Sequence, residues 1–319
     1  MAEAQPIGGR RAARPPPSPP RRRPQMAKAK FDVYQHVTDE IIAQIEAGTP
    51  PWRKPWTGGA GGAQMPARFN GEDYRGINVL MLWATAASKG YASARWMTYR
   101  QAQELGAQVR KGETSATVVK FGTVERESDD GDEKKIPYCR AYRVFNSDQI
   151  DGLPEEFYTR PEPQRDLGTT ADPELEAFLA RTGAAIHSSP EPRAYYDIRA
   201  DRIHMPPIET FLSAQAFYGT VLHELTHWSG AEKRLDRFKR FSDRTAYAFE
   251  ELVAEIGACM LGVQIGVAPE FDQSASYVEG WVAAMKGDNR AIFRAASEAQ
   301  KAVDFILAEA GRSAAEQAA

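Results

Sequence analysis

Hydrophobic residues recur at helical spacing in several segments of the chain. The apolar set from Val33 to Ile45 repeats every three or four residues and stops at Gly48, a common residue after a helix end. The same spacing predicts helices over 78–89 and 98–105. Further helices are predicted over 175–182 and about 213–228, 245–262, 274–286 and 289–310. Both halves of the chain are therefore expected to contain helices.

Segments rich in β-branched and aromatic residues predict strands beside these helices. Residues 114–125 and 137–146 are rich in Val, Thr, Tyr and Phe, with the acidic stretch 127–133 between them. This pattern predicts a hairpin with a long solvated tip. Residues 195–197 and 202–205 are predicted to form a second, shorter pair of strands. The fold class is therefore α+β with two domains: a small N-terminal α+β domain, and a mainly helical C-terminal domain with a small antiparallel sheet.

Composition marks the expected domain boundaries. Residues 1–28 interleave prolines with arginines and cannot bury much apolar surface, so we expect a disordered tail there. A first domain is expected over 29–152. Residues 153–171 contain Pro, Gly and charges with little periodicity, which predicts a linker. A second domain is expected over 172–310, followed by a frayed tail over 311–319.

Length, charge and cysteine content narrow the class of protein. The 319 residues allow about two domains, and a formal net charge of −3 does not by itself indicate a nucleic-acid binder. Cys139 and Cys259 lie far apart, so a disulfide framework is not supported. No apolar run reaches the ~20 residues of a membrane helix. These features predict a cytoplasmic protein with no membrane partner.

The clearest chemical signal is an HExxH motif, which runs from His223 through Glu224 to His227. Residues four apart share a helix face, so both imidazoles point to one spot. A catalytic zinc site uses three protein ligands and a water molecule. Glu224 can take a proton from that water. The motif predicts Zn²⁺ held by the two histidines, with Glu224 as the catalytic base.

The third metal ligand is predicted on the next helix. Glu251 and Glu255 are four residues apart and share a face. We assign Glu251 as the ligand and Glu255 as a carboxylate that orients a histidine from behind. Glu250 is the main alternative to Glu251, and Asp236 and Asp243 are weaker ones.

Basic and aromatic residues are interleaved in the N-terminal half. Aromatic faces can stack bases while Arg and Lys hold phosphates, which is how single strands are bound without sequence preference. The alternative is that the tryptophans belong to the core or fix a loop. The candidate DNA contacts are Trp52, Arg53, Lys54, Trp56, Arg75, Asn78, Trp96, Arg110, Lys111 and Lys120.

Several of these segments, in this order, resemble a known family. Residues 51–56 (Pro-Trp-Arg-Lys-Pro-Trp), 74–78 (Tyr-Arg-Gly-Ile-Asn), 96–102 (Trp-Met-Thr-Tyr-Arg-Gln-Ala) and 109–113 (Val-Arg-Lys-Gly-Glu) are the matching motifs. They are similar to the N-terminal domain of ArdC-type antirestriction proteins, and to the N-terminal part of TraC-type conjugative primases. The HExxH helix and the Glu-Glu-Leu-Val-Ala-Glu segment at 250–255 resemble the C-terminal domain of the same family.

The resemblance covers about residues 30–310 and implies two activities. The N-terminal domain would bind single-stranded DNA, and the C-terminal domain would be a zincin-like metallopeptidase with an unknown protein or peptide substrate. Such proteins are expected to shield incoming plasmid DNA from host restriction during conjugation. In zincins an edge strand beside the cleft can pair with the substrate, and residues 202–205 are the candidate. Two alternatives remain open: a DNA-coating protein with structural zinc, and a peptidase whose N-terminal domain selects protein substrates.

Overall fold

The computed structural model describes most of the chain outside its two ends. The described residues are 32–52, 64–127, 133–158, 165–240, 244–268 and 275–311. The predicted N-terminal tail lies outside them, as do Arg53, Lys54 and Trp56 of the candidate DNA contacts and Asp243 of the alternative ligands. Among the described residues, no helix is long and apolar enough to cross a membrane.

Helices form at every segment predicted from hydrophobic spacing. They are α1 (Val33–Glu46), α2 (Ile77–Lys89), α3 (Tyr99–Glu104), α4 (Pro173–Arg181), α5 (Ala214–Ser229), α6 (Arg244–Ile265), α7 (Ala275–Gly287) and α8 (Ala291–Glu309). Side-chain caps fix several of their starts. The Asp32 carboxylate accepts from backbone amides of the first turn of α1, and Thr98 with Gln101 forms a capping box on α3.

Short strands and one long hairpin complete the fold. The strands are β1 (Ala67–Arg68), β2 (Arg95–Met97), β3 (Gln108–Val109), β4 (Ala116–Glu127), β5 (Glu133–Asn146), β6 (Ile150–Asp151), β7 (Ala185–Ser188), β8 (Tyr195–Asp197) and β9 (Arg202–Met205). The first sheet has the order β1-β2-β5-β4, and β3 pairs with β6. The predicted hairpin is confirmed, because β4 and β5 pair antiparallel without interruption from Ala116–Val144 to Glu127–Glu133.

The third sheet differs from the prediction in one respect. β8 and β9 form the expected antiparallel pair, with Asp201 at a positive φ of 48° in the turn between them. β7, which no sequence pattern predicted, joins β9 in parallel on its other side. Because β9 is the middle strand, both of its edges are already paired. The prediction that residues 202–205 form an edge strand for a substrate is therefore wrong.

Elements of the two halves contribute to one hydrophobic cluster. Its buried members include residues of α1, α2, β4, α5, α6 and α8. Tyr34 of α1 packs edge-on against Phe293 of α8, with ring centroids 4.8 Å apart. Trp52 and Trp281 make a similar contact at 6.0 Å. The N-terminal α+β segment therefore packs directly against the helices of the C-terminal half.

Candidate metal centre

Local sequence places the HExxH residues on a buried helix that lies close to its neighbour. The hydroxyl of Ser213 caps the start of α5, and Val221 and Leu225 bury one face of the helix in the core. Gly257 permits the close approach of α6. A Cβ at that position would lie only 2.7 Å from Cγ2 of Thr226, so a larger residue would push the two helices apart.

Two imidazoles and one carboxylate converge between α5 and α6. The Nε2 atoms of His223 and His227 lie 3.1 Å apart. The carboxylate of Glu251 lies 3.5 Å from each of these nitrogens. An ion with bonds of about 2.0–2.2 Å holds its ligand atoms roughly 3–4 Å apart, so the spacing fits one cation. Within the described part of the chain, this is the one group of His, Cys, Asp or Glu side chains placed to hold a metal.

The electrostatics of this group also suit a cation. Burial by itself would lower the pKa of His227, but hydrogen bonds with Glu250 and Glu251 and the charge of Glu224 raise that pKa to about 10. Burial would raise the pKa of Glu251, yet its hydrogen bonds with the two histidines hold it well below the usual range. The carboxylates around the two histidines therefore favour positive charge in this cluster. A divalent ion can supply that charge in place of protons.

A buried ion pair supports His227 from the side opposite the ligand nitrogen. Oε1 of Glu250 lies 3.2 Å from Nδ1 of His227. Arg237, only 1% exposed, donates to both oxygens of this carboxylate, at 2.8 and 3.1 Å. The same guanidinium donates to Oγ of Ser229 and to the carbonyl of Thr226, at 2.9 and 2.6 Å. The last turn of α5 and the imidazole are therefore tied to one arginine.

These contacts separate the two neighbouring glutamates by role. Glu251 has the ligand geometry, whereas Glu250 contacts the ring nitrogen of His227 that faces away from the proposed ion. Glu255 is buried on α6, and its predicted orienting role stays a prediction. Asp236 does not belong to the ligand group. Arg237 was not predicted as part of the site, because it lies in a charged run typical of an exposed loop.

The proposed base, Glu224, lies on α5 between the two histidines and is buried. The charge of Glu224 is one of the influences that raise the pKa of His227. A buried carboxylate beside a metal site can accept a proton from a coordinated water molecule.

The structure corrects part of the predicted DNA contact set. Trp52 and Trp96 are 0% and 1% exposed, and their rings pack edge-on against Trp281 and Tyr91 at 6.0 and 5.9 Å. Their faces are covered, so the prediction that these two rings stack bases is wrong. Large aromatic side chains bury much apolar area, and here that burial stabilises the core.

Some of the polar candidates for DNA contact are held by hydrogen bonds or ion pairs within the protein, and others are exposed. The amide of Asn78 both donates to and accepts from the backbone of Val119, at 2.9 and 2.7 Å, and so fixes α2 on β4 rather than facing DNA. Arg75 pairs with Asp304. Arg110 pairs with Glu113 and Asp151 but remains partly exposed. Among the candidates that the structure describes, Lys111 and Lys120 are exposed and make no ion pair with another described residue.

Together the fold and the site define a zincin-like metallopeptidase domain that follows an α+β domain. The family model described as a zincin-like metallopeptidase matches residues 173–298. The model of the N-terminal domain of the anti-restriction factor ArdC matches residues 31–145. With the whole-chain likenesses described next, these matches show that the chain belongs to the ArdC antirestriction family.

Two solved structures of the antirestriction ArdC protein from plasmid R388 resemble this chain throughout. The metal-free form is 64% identical, with a TM-score of 0.81, over 88% of this chain and 98% of that one. The Mn(II)-bound form is 63% identical, with a TM-score of 0.77 and the same coverage of 88% and 98%.

Curated relatives include one protein of similar length and two much longer ones. The protein y4eC of Sinorhizobium fredii is 39% identical over 87% of this chain and 92% of its own length. A DNA primase TraC of Escherichia coli is 38% identical over 89% of this chain. The chain spans only 28% of that primase, and 20% of a second TraC primase of the same species that is 36% identical.

Proposed function

We propose that this chain is an antirestriction protein of a plasmid or mobile element. It binds single-stranded DNA through its N-terminal part and cleaves a protein or peptide at a zinc centre. By these activities it protects incoming DNA from host restriction in the cytoplasm. The observation that carries the peptidase proposal is the convergence of His223, His227 and Glu251, with Glu224 on the same helix. The plasmid origin of the R388 relative and the primase relatives support the DNA context.

Each residue of the centre has a distinct part in the proposed reaction. His223 and His227 hold the ion through Nε2, and Glu251 holds it through its carboxylate. When bound, zinc supplies a Lewis acid that activates water and polarises a carbonyl. Glu224 accepts the proton of that water and passes it to the leaving amine. Glu250 keeps the ring of His227 in the orientation that binding requires.

Zinc is proposed as the physiological ion on the grounds of ligand chemistry. Two imidazoles and one glutamate are a ligand set that catalytic zinc sites use. The R388 relative was solved in a Mn(II)-bound form, which supports a divalent ion as a ligand in this family. Imidazole also binds several other divalent metals, and geometry and availability decide among them.

Replacing Glu224 with Gln tests the peptidase proposal. The variant keeps the shape of the side chain but removes the proton acceptor. We expect zinc content by mass spectrometry to match that of the wild type, and cleavage of a proteome-derived peptide library to disappear. Glu209→Gln, an exposed glutamate before α5, is the matched control and should cleave like the wild type. Undiminished cleavage by the Glu224 variant would exclude the proposed role.

A structural metal is the second candidate. It is favoured by the low exposure of the ligands, whose side chains are 16%, 12% and 10% accessible for His223, His227 and Glu251. Under this alternative, the protein protects DNA by coating it. Glu224→Gln would then still protect unmodified incoming DNA in a conjugation assay, and neither the wild type nor the variant would cleave any peptide.

A further inference from the structure

The β4–β5 hairpin has two chemically different faces. Its register has no bulge, so positions with even numbers on the two strands lie on one face and odd positions on the other. On the odd face, Phe121 lies 6.4 Å from the ring of Tyr34 and 6.2 Å from that of Phe293. At this point the odd face is therefore turned toward α1 and α8, and the even face is turned away from them.

We call the even face the hairpin face. Its register pairs from the base of the hairpin outward are Val118–Tyr142, Lys120–Arg140, Gly122–Tyr138 and Val124–Ile136. Lys120 and Arg140 are exposed, and Val124 and Ile136, which form one register pair, are each 46% exposed. The hairpin face thus combines cations with uncovered apolar surface.

The four described pairs of the hairpin face contain two cations and no acidic residue. Lys120 and Arg140 are the cations, and the other members of these pairs are aliphatic residues, tyrosines and a glycine. Among these pairs, the positive charge therefore has no carboxylate beside it on the same face.

An aromatic ring on this face is held in place by a glycine and an arginine. A Cβ at Gly122 would lie 2.5 Å from the ring of Tyr138, so the ring lies directly over the glycine backbone. The guanidinium of Arg140 lies 5.0 Å from the centroid of the same ring. Tyr142 is a second exposed ring, two residues away on the same strand. Rings and cations therefore alternate along β5.

We propose that the hairpin face binds single-stranded DNA, with Lys120 and Arg140 at phosphates and Tyr138 and Tyr142 against bases. This inference rests on the proposed function and gives its DNA-binding part a location. Pairs on one face recur about every 7 Å along a strand, so an extended nucleic-acid chain can follow them. Stacking on a ring requires an unpaired base, which favours a single strand over a duplex. In this proposal the rings that stack on bases belong to the hairpin face and not to the buried Trp52 and Trp96.

Charge reversal on the hairpin face tests the phosphate contacts. Binding of a labelled oligothymidylate to the full chain is measured by fluorescence anisotropy over a range of salt concentrations. Lys120→Glu should weaken binding roughly ten-fold and reduce the slope of log Kd against log salt by about 0.7. Lys301→Glu, the same charge change at an exposed position on α8, should change Kd by less than about two-fold.

Removing a ring tests stacking separately from charge. Tyr142→Ala should weaken binding about five-fold or more without changing the salt slope, because stacking releases no counterions. Tyr247→Ala, which removes an exposed ring from α6, should bind like the wild type. Ultraviolet cross-linking of the wild type to the same oligonucleotide, followed by mass spectrometry, should place adducts on Tyr138 or Tyr142 even if a variant folds poorly.

The outcomes distinguish the inference from the function on which it rests. If the wild type binds no single strand, the DNA-binding part of the proposed function fails. If it binds but well-folded Lys120→Glu and Tyr142→Ala bind equally tightly, the function stands and the hairpin face is excluded. Adducts on Tyr99, beside Lys111 in the shallow groove lined by α3 and β3, would likewise overturn the inference and move the site there.

Discussion

At the scale of single residues, the arrangement around His227 explains why two adjacent glutamates are both buried. A buried carboxylate is costly unless it is paired. Glu251 faces the two ligand nitrogens, while Glu250 lies between Nδ1 of His227 and the guanidinium of Arg237. A fixed partner at the second ring nitrogen sets the orientation and the tautomer of a ligating histidine. We therefore expect Glu250 to affect how tightly a metal is held without being a ligand itself.

Glu250→Gln tests this positioning role. The amide is isosteric but uncharged, so it holds the imidazole less firmly and pairs less well with Arg237. We expect zinc affinity to fall about 10- to 100-fold, measured by competition with a chromogenic chelator. Glu232→Gln, on the exposed segment after α5, should leave the affinity unchanged. An affinity equal to that of the wild type would show that Glu250 serves only the fold.

Some residues of the site could be predicted from the amino-acid sequence, and others could not. The two histidines and Glu224 were predictable because their geometry is set within one helix. The role of Glu251 followed from its position on the next amphipathic helix. Arg237 could not be predicted, because its burial depends on how the segment after α5 folds back over α6. Trp52 and Trp96 were predicted wrongly because composition does not tell whether a ring faces solvent or core.

At the scale of elements, the turn between β8 and β9 is tied to the end of α5. Asp201, in that turn, pairs with Lys233 at 2.6 Å and with Arg234, and accepts from the hydroxyl of Tyr196 at 2.6 Å. The guanidinium of Arg234 lies 4.1 Å from the centroid of the Trp228 ring and donates to the Trp228 carbonyl at 2.6 Å. This network joins the three-stranded sheet to the helix that carries both histidines.

The Asp201 network predicts a pH dependence of stability. The hydrogen bond from Arg234 is the largest influence on the pKa of Asp201 and holds it well below its usual range. A carboxyl with a lowered pKa stabilises the fold above its unfolded pKa of about 3.9 and loses that effect as the pH falls. Asp201→Asn should therefore be less stable than the wild type near neutral pH, and the difference should shrink in acid.

Urea unfolding at about pH 7 and at about pH 3, which lies below the unfolded pKa, measures this difference. Asparagine tolerates a positive φ, so the substitution does not strain the turn. Asp197→Asn serves as a comparison, because that carboxylate caps the same turn by accepting from the backbone amides of Arg199 and Ala200. A wild-type advantage over Asp201→Asn that is the same at both pH values would argue against the ion pair as its source.

The elements themselves were largely predictable, and the exceptions have a physical cause. Helices and the β4–β5 hairpin carry their periodicity within the segment. β7 has four residues of mixed character and is formed by pairing with β9 rather than by its own pattern. An isolated short strand carries little local signal, so its partner determines it. Because β7 was not predicted, the position of β9 in the middle of its sheet could not be predicted either.

At the scale of the whole molecule, the N-terminal elements and the C-terminal helices are joined by specific contacts. The hydroxyl of Thr38 donates to the carbonyl of Asn289 at 2.7 Å, and the side chain of Gln300 accepts from the amide of Gly76 at 3.1 Å. The contact of Trp52 with Trp281 adds a buried aromatic pair. The halves are therefore expected to unfold together rather than as independent domains.

Trp281→Ala tests this coupling. Loss of the ring removes a large buried surface on α7 and leaves Trp52 facing a cavity. We expect a loss of about 3–5 kcal/mol in the free energy of unfolding, with one transition seen by both circular dichroism and tryptophan fluorescence. Leu212→Ala, at a position that is 97% exposed, should change stability by about 0.5 kcal/mol at most. Two separate transitions in the wild type would contradict the coupling.

The central claim is that His223, His227 and Glu251 bind one zinc ion. X-ray absorption spectroscopy of the zinc-loaded full chain tests it most directly. We expect one zinc ion per chain, coordinated by two imidazole nitrogens and by carboxylate oxygen at about 2.0–2.2 Å. We also expect the Glu251→Ala variant to lose this ion. A coordination shell without imidazole, or an unchanged spectrum in Glu251→Ala, would contradict it.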